Sequence, residues 1–105
     1  MKTIWKFQLP PHPGLAVWVV DFEIPQDPVP LSAALQQVPS NMPIDWPRAT
    51  RLTIWVQVDD KRRLRARRFA IVGTGHEVPQ PARFISTVQD GPYVWHVFDL
   101  GEVAA

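Results

Sequence analysis

Twelve prolines divide this 105-residue chain into short segments. Proline has no backbone N–H and breaks both helix interiors and strand ladders, so it lies mainly in loops and at the ends of elements. Six of the twelve prolines fall within residues 25–47. The prolines therefore mark loops and the ends of short elements along much of the chain.

Between the prolines, apolar and polar side chains alternate with the period of two that a half-buried strand requires. In Leu52–Val58, aliphatic side chains occupy every second position and share one face. The alternation predicts six strands, at Thr3–Leu9, Leu15–Ile24, Leu52–Val58, Leu64–Val72, Arg83–Val88 and Tyr93–Leu100. Turn signals at Asp59–Lys61 and Asp90–Gly91 then predict antiparallel hairpins.

Residues 25–48 interrupt this pattern. Ser32–Gln37 has the composition of one or two helical turns, and Pro30 suits a position just before them. We expect a proline-rich loop that contains one short helix. The predicted fold class is mainly β (α+β), with one domain over residues 1–105 and a compact antiparallel sheet of about six strands, curled or sandwich-like.

Composition excludes several classes of protein. Apolar residues make up 46% of the chain and charged residues 20%, which is typical of a globular domain and not of a disordered one. The absence of cysteine excludes disulfides, thiolate metal sites and a cysteine nucleophile. The net charge of +1 indicates no partner, and no segment approaches the roughly 18 apolar residues of a membrane span. We therefore expect a cytoplasmic protein that does not associate with membranes.

The segment Lys61–Arg68 carries six basic side chains in eight positions. On a strand, alternate residues share a face about 7 Å apart, which is close to the spacing of successive phosphates. Arg65, Arg67 and Arg68 are therefore candidates for binding a phosphorylated ligand, because the planar guanidinium suits phosphate. The alternative is a solvated edge strand that is protected from aggregation by its charge. Duplex DNA is not an expected partner, since the sequence shows no recognition helix or zinc ligand set.

A Gly-Thr-Gly-His motif at residues 73–76 follows the arginine-rich strand directly. Glycine permits positive φ angles and a close approach of the backbone to a ligand. The amides of such a turn form an anion-binding concavity, to which a threonine and a histidine add donors. Gly73, Thr74, Gly75 and His76 are therefore candidate ligand-binding residues. The motif is neither a Walker loop nor a dinucleotide fingerprint, and the alternative is a tight structural turn.

Trp95 and His96 complete the candidate site, because a meander places the last strand close to the Gly73–His76 turn. A tryptophan face stacks on planar ligands, and an imidazole adds a polar group. Alternation sets these two side chains on opposite faces of the strand. One of them therefore lines the pocket, while the other is buried or faces a partner chain.

No catalytic residue, metal site or cofactor is predicted. The serines do not lie in a nucleophile turn, and the three histidines lack the paired spacing of a metal site. We expect a binding protein rather than an enzyme. An acid–base pair of His76 and His96 for phosphodiester cleavage is the alternative.

Three segments carry a resemblance to a known family, and they are Met1–Phe7, Ile71–His76 and Val94–Phe98. Through them the whole chain resembles a family of small bacteriophage and prophage proteins, classed as a domain of unknown function. The proline-rich stretch at residues 25–47 looks longer here than in the family pattern.

The resemblance implies a biological context. Small phage proteins without enzyme motifs often act against host defence. It therefore implies a homo-oligomer in the host cytoplasm that sequesters a nucleotide-derived signal, such as a cyclic oligonucleotide or an ADP-ribose derivative. The alternative is an inhibitor that binds a host protein, or a minor structural or assembly protein of the phage, with Trp46 as an anchor. Single-stranded nucleic acid binding is a third expectation.

Overall fold

The computed structural model describes residues 1–37 and 50–104. These residues form seven strands, which are β1 (Lys2–Gln8), β2 (Val17–Pro25), β3 (Val29–Gln37), β4 (Thr50–Asp59), β5 (Leu64–Gly73), β6 (Arg83–Asp90) and β7 (Tyr93–Glu102). Every pairing is antiparallel, and the strands form two sheets in the orders β1-β4-β3 and β2-β5-β7-β6. The expectation of a mainly β, antiparallel fold is confirmed, with two sheets and seven strands rather than about six.

One hydrophobic core joins the two sheets. β4 contributes Ile54 and Val56, both fully buried, and the alternation along this strand follows the sequence prediction. β5 contributes Phe69, and β7 contributes Trp95 and Val97 to the same cluster. Because Trp95 and Val97 are two residues apart, their shared face of β7 is the inward one.

The predicted short helix is wrong. Ser32–Gln37 extends β3, which pairs with β4 and contributes Ala33 to the core at 6% exposure. An isolated helix needs about 12–15 residues to be stable in water, whereas β4 offers this segment a ladder of backbone hydrogen bonds. Pro30 is accommodated because β3 is an edge strand and its register shifts between Pro30 and Ser32. Residues 38–48 of the predicted loop, which include Trp46, lie outside the described residues.

The predicted hairpin between β4 and β5 is also wrong. The Asp59–Lys61 turn does form, with the Arg62 amide donating to the Asp59 carbonyl at 3.1 Å. It leads from one sheet to the other, however, because β1 and β3 already occupy both edges of β4. β5 pairs instead with β2 and β7.

The β6–β7 hairpin forms as predicted and positions the candidate site. Asp90 and Tyr93 are its closing pair, and Gly91 has a φ of 56° in the turn between them. In the register of β5 and β7, Gly73 pairs with Trp95. The Gly73–His76 turn therefore lies beside Trp95 at one end of the sandwich, although the expected meander is wrong, because β7 lies between β5 and β6 and pairs with β5 directly. Over the two described ranges no helix is long and apolar enough to cross a membrane.

Candidate ligand-binding site

A cleft of about 740 Å³ opens at this end of the sandwich. Its walls are the β1–β2 loop from His12 to Ala16, the end of β5 with Gly73, Thr74 and His76, and the segment from Asp90 to Trp95. Small-molecule sites usually measure about 300–1,000 Å³. We call this feature the end cleft. It brings together four of the predicted site residues, namely Gly73, Thr74, His76 and Trp95.

The two glycines of the turn are required for different reasons. Gly75 has a φ of 91°, and the His76 amide donates to the Gly73 carbonyl at 3.2 Å to close the turn. A side chain at position 75 would be strained in that conformation. At Gly73 the restriction is space, since an added Cβ would lie 3.2 Å from the Ala16 carbonyl oxygen and 3.4 Å from the Trp95 ring.

Two amides of the turn are available to a ligand. The Gly73 amide donates to the Ala16 carbonyl at 2.8 Å, and the His76 amide closes the turn. Within the described residues, the amides of Thr74 and Gly75 have no hydrogen-bond acceptor. Neighbouring free amides of this kind provide donors for an anion or a carbonyl group.

An aromatic wall faces the turn. Tyr93 and Trp95 stack with their ring centroids 5.7 Å apart and their planes 19° from parallel. The His12 ring lies 4.6 Å from Trp95 and is almost parallel to Tyr93, at 6.3 Å and 20°. Trp18 supports Trp95 from inside with an edge-on contact at 5.0 Å. Because Tyr93 is 58% exposed, its ring presents a planar surface to a ligand.

A local hydrogen bond sets the tautomer of His12. The Gly14 amide donates to Nδ1 at 2.9 Å, so this nitrogen carries a lone pair. The proton of the neutral imidazole must then lie on Nε2. His12 is therefore presented as a hydrogen-bond donor in the β1–β2 loop, and Gly14, with a φ of 81°, allows the loop to fold back onto it.

His96 lies on the opposite face of β7 from Trp95, as alternation predicted. Its Nε2 is 2.9 Å from the Thr74 hydroxyl, and its Nδ1 is 3.0 Å from the Thr87 hydroxyl. Both ring nitrogens are thus engaged, and His96 is absent from the lining of the end cleft. It positions the Thr74 side chain from behind rather than facing a ligand directly.

Comparison with known proteins places the chain in a family. The family described as "Domain of unknown function (DUF7352)" matches residues 1–104. The chain belongs to this family. Searches of curated proteins and of solved structures found no match. The site of this DUF7352 chain must therefore be interpreted from its own geometry.

The predicted arginines do not join the end cleft of the DUF7352 chain. Arg67 binds Asp99 through two hydrogen bonds of 3.0 and 2.7 Å, and Arg68 binds Asp21 through two of 2.8 and 3.0 Å. Arg65 and Arg67 line a much smaller cavity of about 10 Å³. A strand rises about 3.3 Å per residue, so Arg65 and Gly73 are separated by roughly 25 Å along β5.

The ion pair of Arg68 and Asp21 shifts the pKa values of both partners. The hydrogen bond from the Arg68 guanidinium lowers the pKa of the Asp21 carboxyl below its usual value, and the same bond raises the pKa of Arg68. Three arginines of the run, at positions 62, 67 and 68, are paired with carboxylates. The basic segment therefore contributes ion pairs to the fold, and no lysine or arginine lies among the residues that line the end cleft.

Sequence reasoning missed two residues of the aromatic wall. Tyr93 lies two positions before Trp95, so alternation along the strand was a sufficient signal for it. His12 had no such signal, because its position depends on how the Pro-Pro-His-Pro-Gly loop folds. Within the described ranges, no group of three His, Asp or Glu side chains is arranged to hold a metal ion.

Proposed function

We propose that this chain binds a nucleotide-derived small molecule in the end cleft and does not transform it. The stacked Tyr93–Trp95 wall opposite the Gly73–His76 turn is the observation that carries this proposal. A nucleobase is planar and has polar edges, so it needs an aromatic surface on one side and hydrogen-bonding groups around its rim. The cleft supplies both.

The polar groups around the wall suit the rim of a base or a sugar. The free amides of Thr74 and Gly75 and the Nε2–H of His12 are donors. The Asp90 carboxylate is an acceptor for an amino or hydroxyl group, and it also lines the cleft. Base–aromatic stacking contributes about 1–3 kcal/mol per base. Stacking and these hydrogen bonds together support recognition of a single nucleobase.

The charge of the end cleft narrows the ligand class further. Among the described residues, Asp90 is its one acidic lining residue, and no lysine or arginine lines it. Several phosphates inside the cleft would be desolvated without a cation, which is costly. A nucleoside or mononucleotide therefore fits the cleft better than ADP-ribose, which has two phosphates, or a cyclic oligonucleotide with a phosphate on every residue.

Binding without chemistry is supported by the arrangement of the histidines. An acid–base pair needs both groups within reach of one substrate. His76 lines the end cleft, whereas both ring nitrogens of His96 are bonded to threonine hydroxyls on the other face of β7. In the phage context that the sequence resembles, a non-catalytic binder of this kind would act against host defence by lowering the free concentration of a nucleotide signal.

Native mass spectrometry tests this proposal directly. The protein is measured alone and with a panel of mononucleosides, mononucleotides, ADP-ribose, cyclic oligonucleotides and a short single-stranded oligonucleotide. We expect one discrete adduct whose mass is unchanged after denaturation. The adduct should be much weaker in Tyr93→Ala and retained in Tyr93→Phe. A ligand released with an altered mass would mean catalysis, and the absence of any adduct would refute the proposal. Oligonucleotide binding with steep salt dependence would favour the third expectation.

A second candidate function, protein binding, is favoured by an apolar row on the outer face of the larger sheet. The register places Val19, Ala70, Phe98 and Phe84 side by side across its four strands. Val19 is 48% exposed and Phe84 57%. Exposed apolar patches on soluble domains often mark interfaces.

The shape of this row favours a second copy of the chain as its occupant. Phe84 and Phe98 form an aromatic pair with ring centroids 5.7 Å apart, and Val19 is the exposed side chain at the other end of the row, since Ala70 between them is fully buried. A two-fold axis through the row would place the aromatic pair of each copy against Val19 of the other. Sedimentation equilibrium should show a dimer that Phe84→Asp dissociates. The control Ile4→Asp, at a site 58% exposed on the smaller sheet, should leave it intact. A monomer at every concentration would refute this packing and leave another protein as the occupant.

A further inference from the structure

A second cavity adjoins the end cleft behind the His12 ring. It measures about 50 Å³, and it shares His12, Asp90 and Trp95 with the end cleft. A single water needs about 10–15 Å³ of such space. The second cavity therefore has room for a small polar group of several atoms, and it is next to the end cleft because the two have these three residues in common.

Arg51 brings a positive charge to the second cavity. It is the second residue of β4, is partly buried, and lines the cavity together with Thr50 and Leu52. Its backbone carbonyl accepts the Thr53 hydroxyl at 3.1 Å. Within residues 1–37 and 50–104 its guanidinium forms no ion pair, in contrast to the paired Arg67 and Arg68. A partly buried guanidinium with five donors and no carboxylate partner is suited to an oxyanion.

We propose that the second cavity is an anion subsite in which Arg51 binds the phosphate of a nucleoside monophosphate. This inference rests on the proposed function, because the base of the same ligand would stack on the Tyr93–Trp95 wall in the end cleft. It supplies the cation that the end cleft lacks.

The surroundings of Arg51 limit the number of phosphates to one. The cavity is small, and the Asp90 carboxylate lies on the wall that it shares with the end cleft. Arg51 is the one lysine or arginine among the described residues that line this cavity, so it can neutralise only part of the charge of a single phosphate. A second or third phosphate would add negative charge with no further described lysine or arginine in the lining and with Asp90 in the wall, and like charges at close range are unfavourable.

Paired titrations separate the subsite from the base site. Calorimetry would compare each of four nucleosides with its 5′-monophosphate, and inorganic phosphate alone would be titrated as a third ligand. Hydrogen bonds to charged groups imply that the monophosphate of the preferred base binds roughly ten- to hundredfold more tightly than the nucleoside. Inorganic phosphate alone should bind weakly, since it makes no stacking contact.

Substitutions at Arg51 test whether this residue causes the difference in affinity between the monophosphate and the nucleoside. Arg51→Ala should reduce monophosphate affinity to that of the nucleoside and leave nucleoside affinity unchanged. Arg51→Lys should retain part of the difference, because lysine keeps the charge but not the planar fork. Arg63→Ala removes an exposed arginine outside both cavities and is the matched control. Thermal unfolding of each variant confirms that it is folded.

Two results would overturn the inference. Equal affinities of nucleoside and monophosphate for the wild-type protein, or equal losses of both in Arg51→Ala, would refute the anion subsite and leave the proposed function standing. Failure of every nucleoside and monophosphate to bind would refute the proposed function as well.

Discussion

Arg67 and Arg68 allow a direct measurement of how burial changes the contribution of an ion pair to the free energy of unfolding. They are neighbours on β5, and each donates two hydrogen bonds to one carboxylate. The side chains of Arg67 and Asp99 are 21% and 4% exposed, whereas those of Arg68 and Asp21 are 43% and 41% exposed. The two substitutions Asp99→Asn and Asp21→Asn therefore make the same chemical change in two different environments.

The expected losses of stability differ severalfold. Removing one partner of a buried pair costs about 3–5 kcal/mol, because the other charge stays buried without compensation. Arg67 keeps some contact with solvent, so we expect about 3 kcal/mol for Asp99→Asn, at the lower end of that range. Asparagine still offers the Gly101 amide an acceptor in place of the Asp99 Oδ1, which lies 2.8 Å from that amide. For Asp21→Asn we expect less than about 1 kcal/mol, as for other exposed pairs.

Urea unfolding followed by tryptophan fluorescence measures both losses, since the chain has five tryptophans. The slope of the unfolding free energy against urea should be unchanged in both variants, so that a shifted midpoint reports stability alone. A domain of this size has about 5–15 kcal/mol of stability in total, so Asp99→Asn should still fold at room temperature. Equal losses for the two variants, or a loss below about 1 kcal/mol for Asp99→Asn, would refute the argument from burial.

Three further predictions concern the turn, the pH dependence and the aromatic wall. Gly75→Ala should cost about 1–2 kcal/mol, because alanine is strained at positive φ, and an unchanged thermal midpoint would contradict the turn geometry. The depressed pKa of Asp21 means that its pair with Arg68 stabilises the fold above pH 4 and loses this effect as the pH falls through the folded-state pKa. Acid unfolding curves of wild type and Asp21→Asn should therefore converge at low pH. Tyr93→Ala should weaken the binding of a nucleoside roughly five- to hundredfold by calorimetry, and Tyr93→Phe should not.

The sequence predicted the strands well where their faces differ in polarity. β4 and β7 alternate clearly, so their approximate bounds and the residues that share a face could be predicted from period alone, but the inward face of β7 could not, because both of its faces carry apolar side chains. β3 was missed because its Ser-Ala-Ala-Leu stretch has no such contrast and because helix propensity over six residues is a weak guide. Its conformation is decided by the free edge of β4, which is information from elsewhere in the chain.

The candidate site was predictable to the extent that it depends on neighbouring strands. The expected proximity of Trp95 to the Gly73–His76 turn is found, but it arises from direct pairing of β7 with β5 and not from a meander of the last strands. His12 and Arg51 could not be predicted, since they reach the site through a proline-rich loop and through the other sheet. The partners of Arg67 and Arg68 could not be predicted either. Asp99 and Asp21 come from the strands on either side of β5, which are distant from it in the sequence.

The arginine pair that stabilises the fold and the candidate binding site lie toward opposite ends of β5. Alternation puts Arg67 on the same side of the strand as the fully buried Phe69, so its charge needs Asp99 for compensation. That requirement arises near one end of β5, while the Gly73–His76 turn lies at the other end, without any arginine in its cleft. Substitutions more than about 7–10 Å apart that share no partner usually act additively. Asp99→Asn should therefore lower the unfolding free energy without changing nucleoside affinity in the folded protein. Tyr93→Ala should lower nucleoside affinity and leave the unfolding free energy unchanged. A ligand affinity that falls with Asp99→Asn under folded conditions would show that the two ends are coupled through β5.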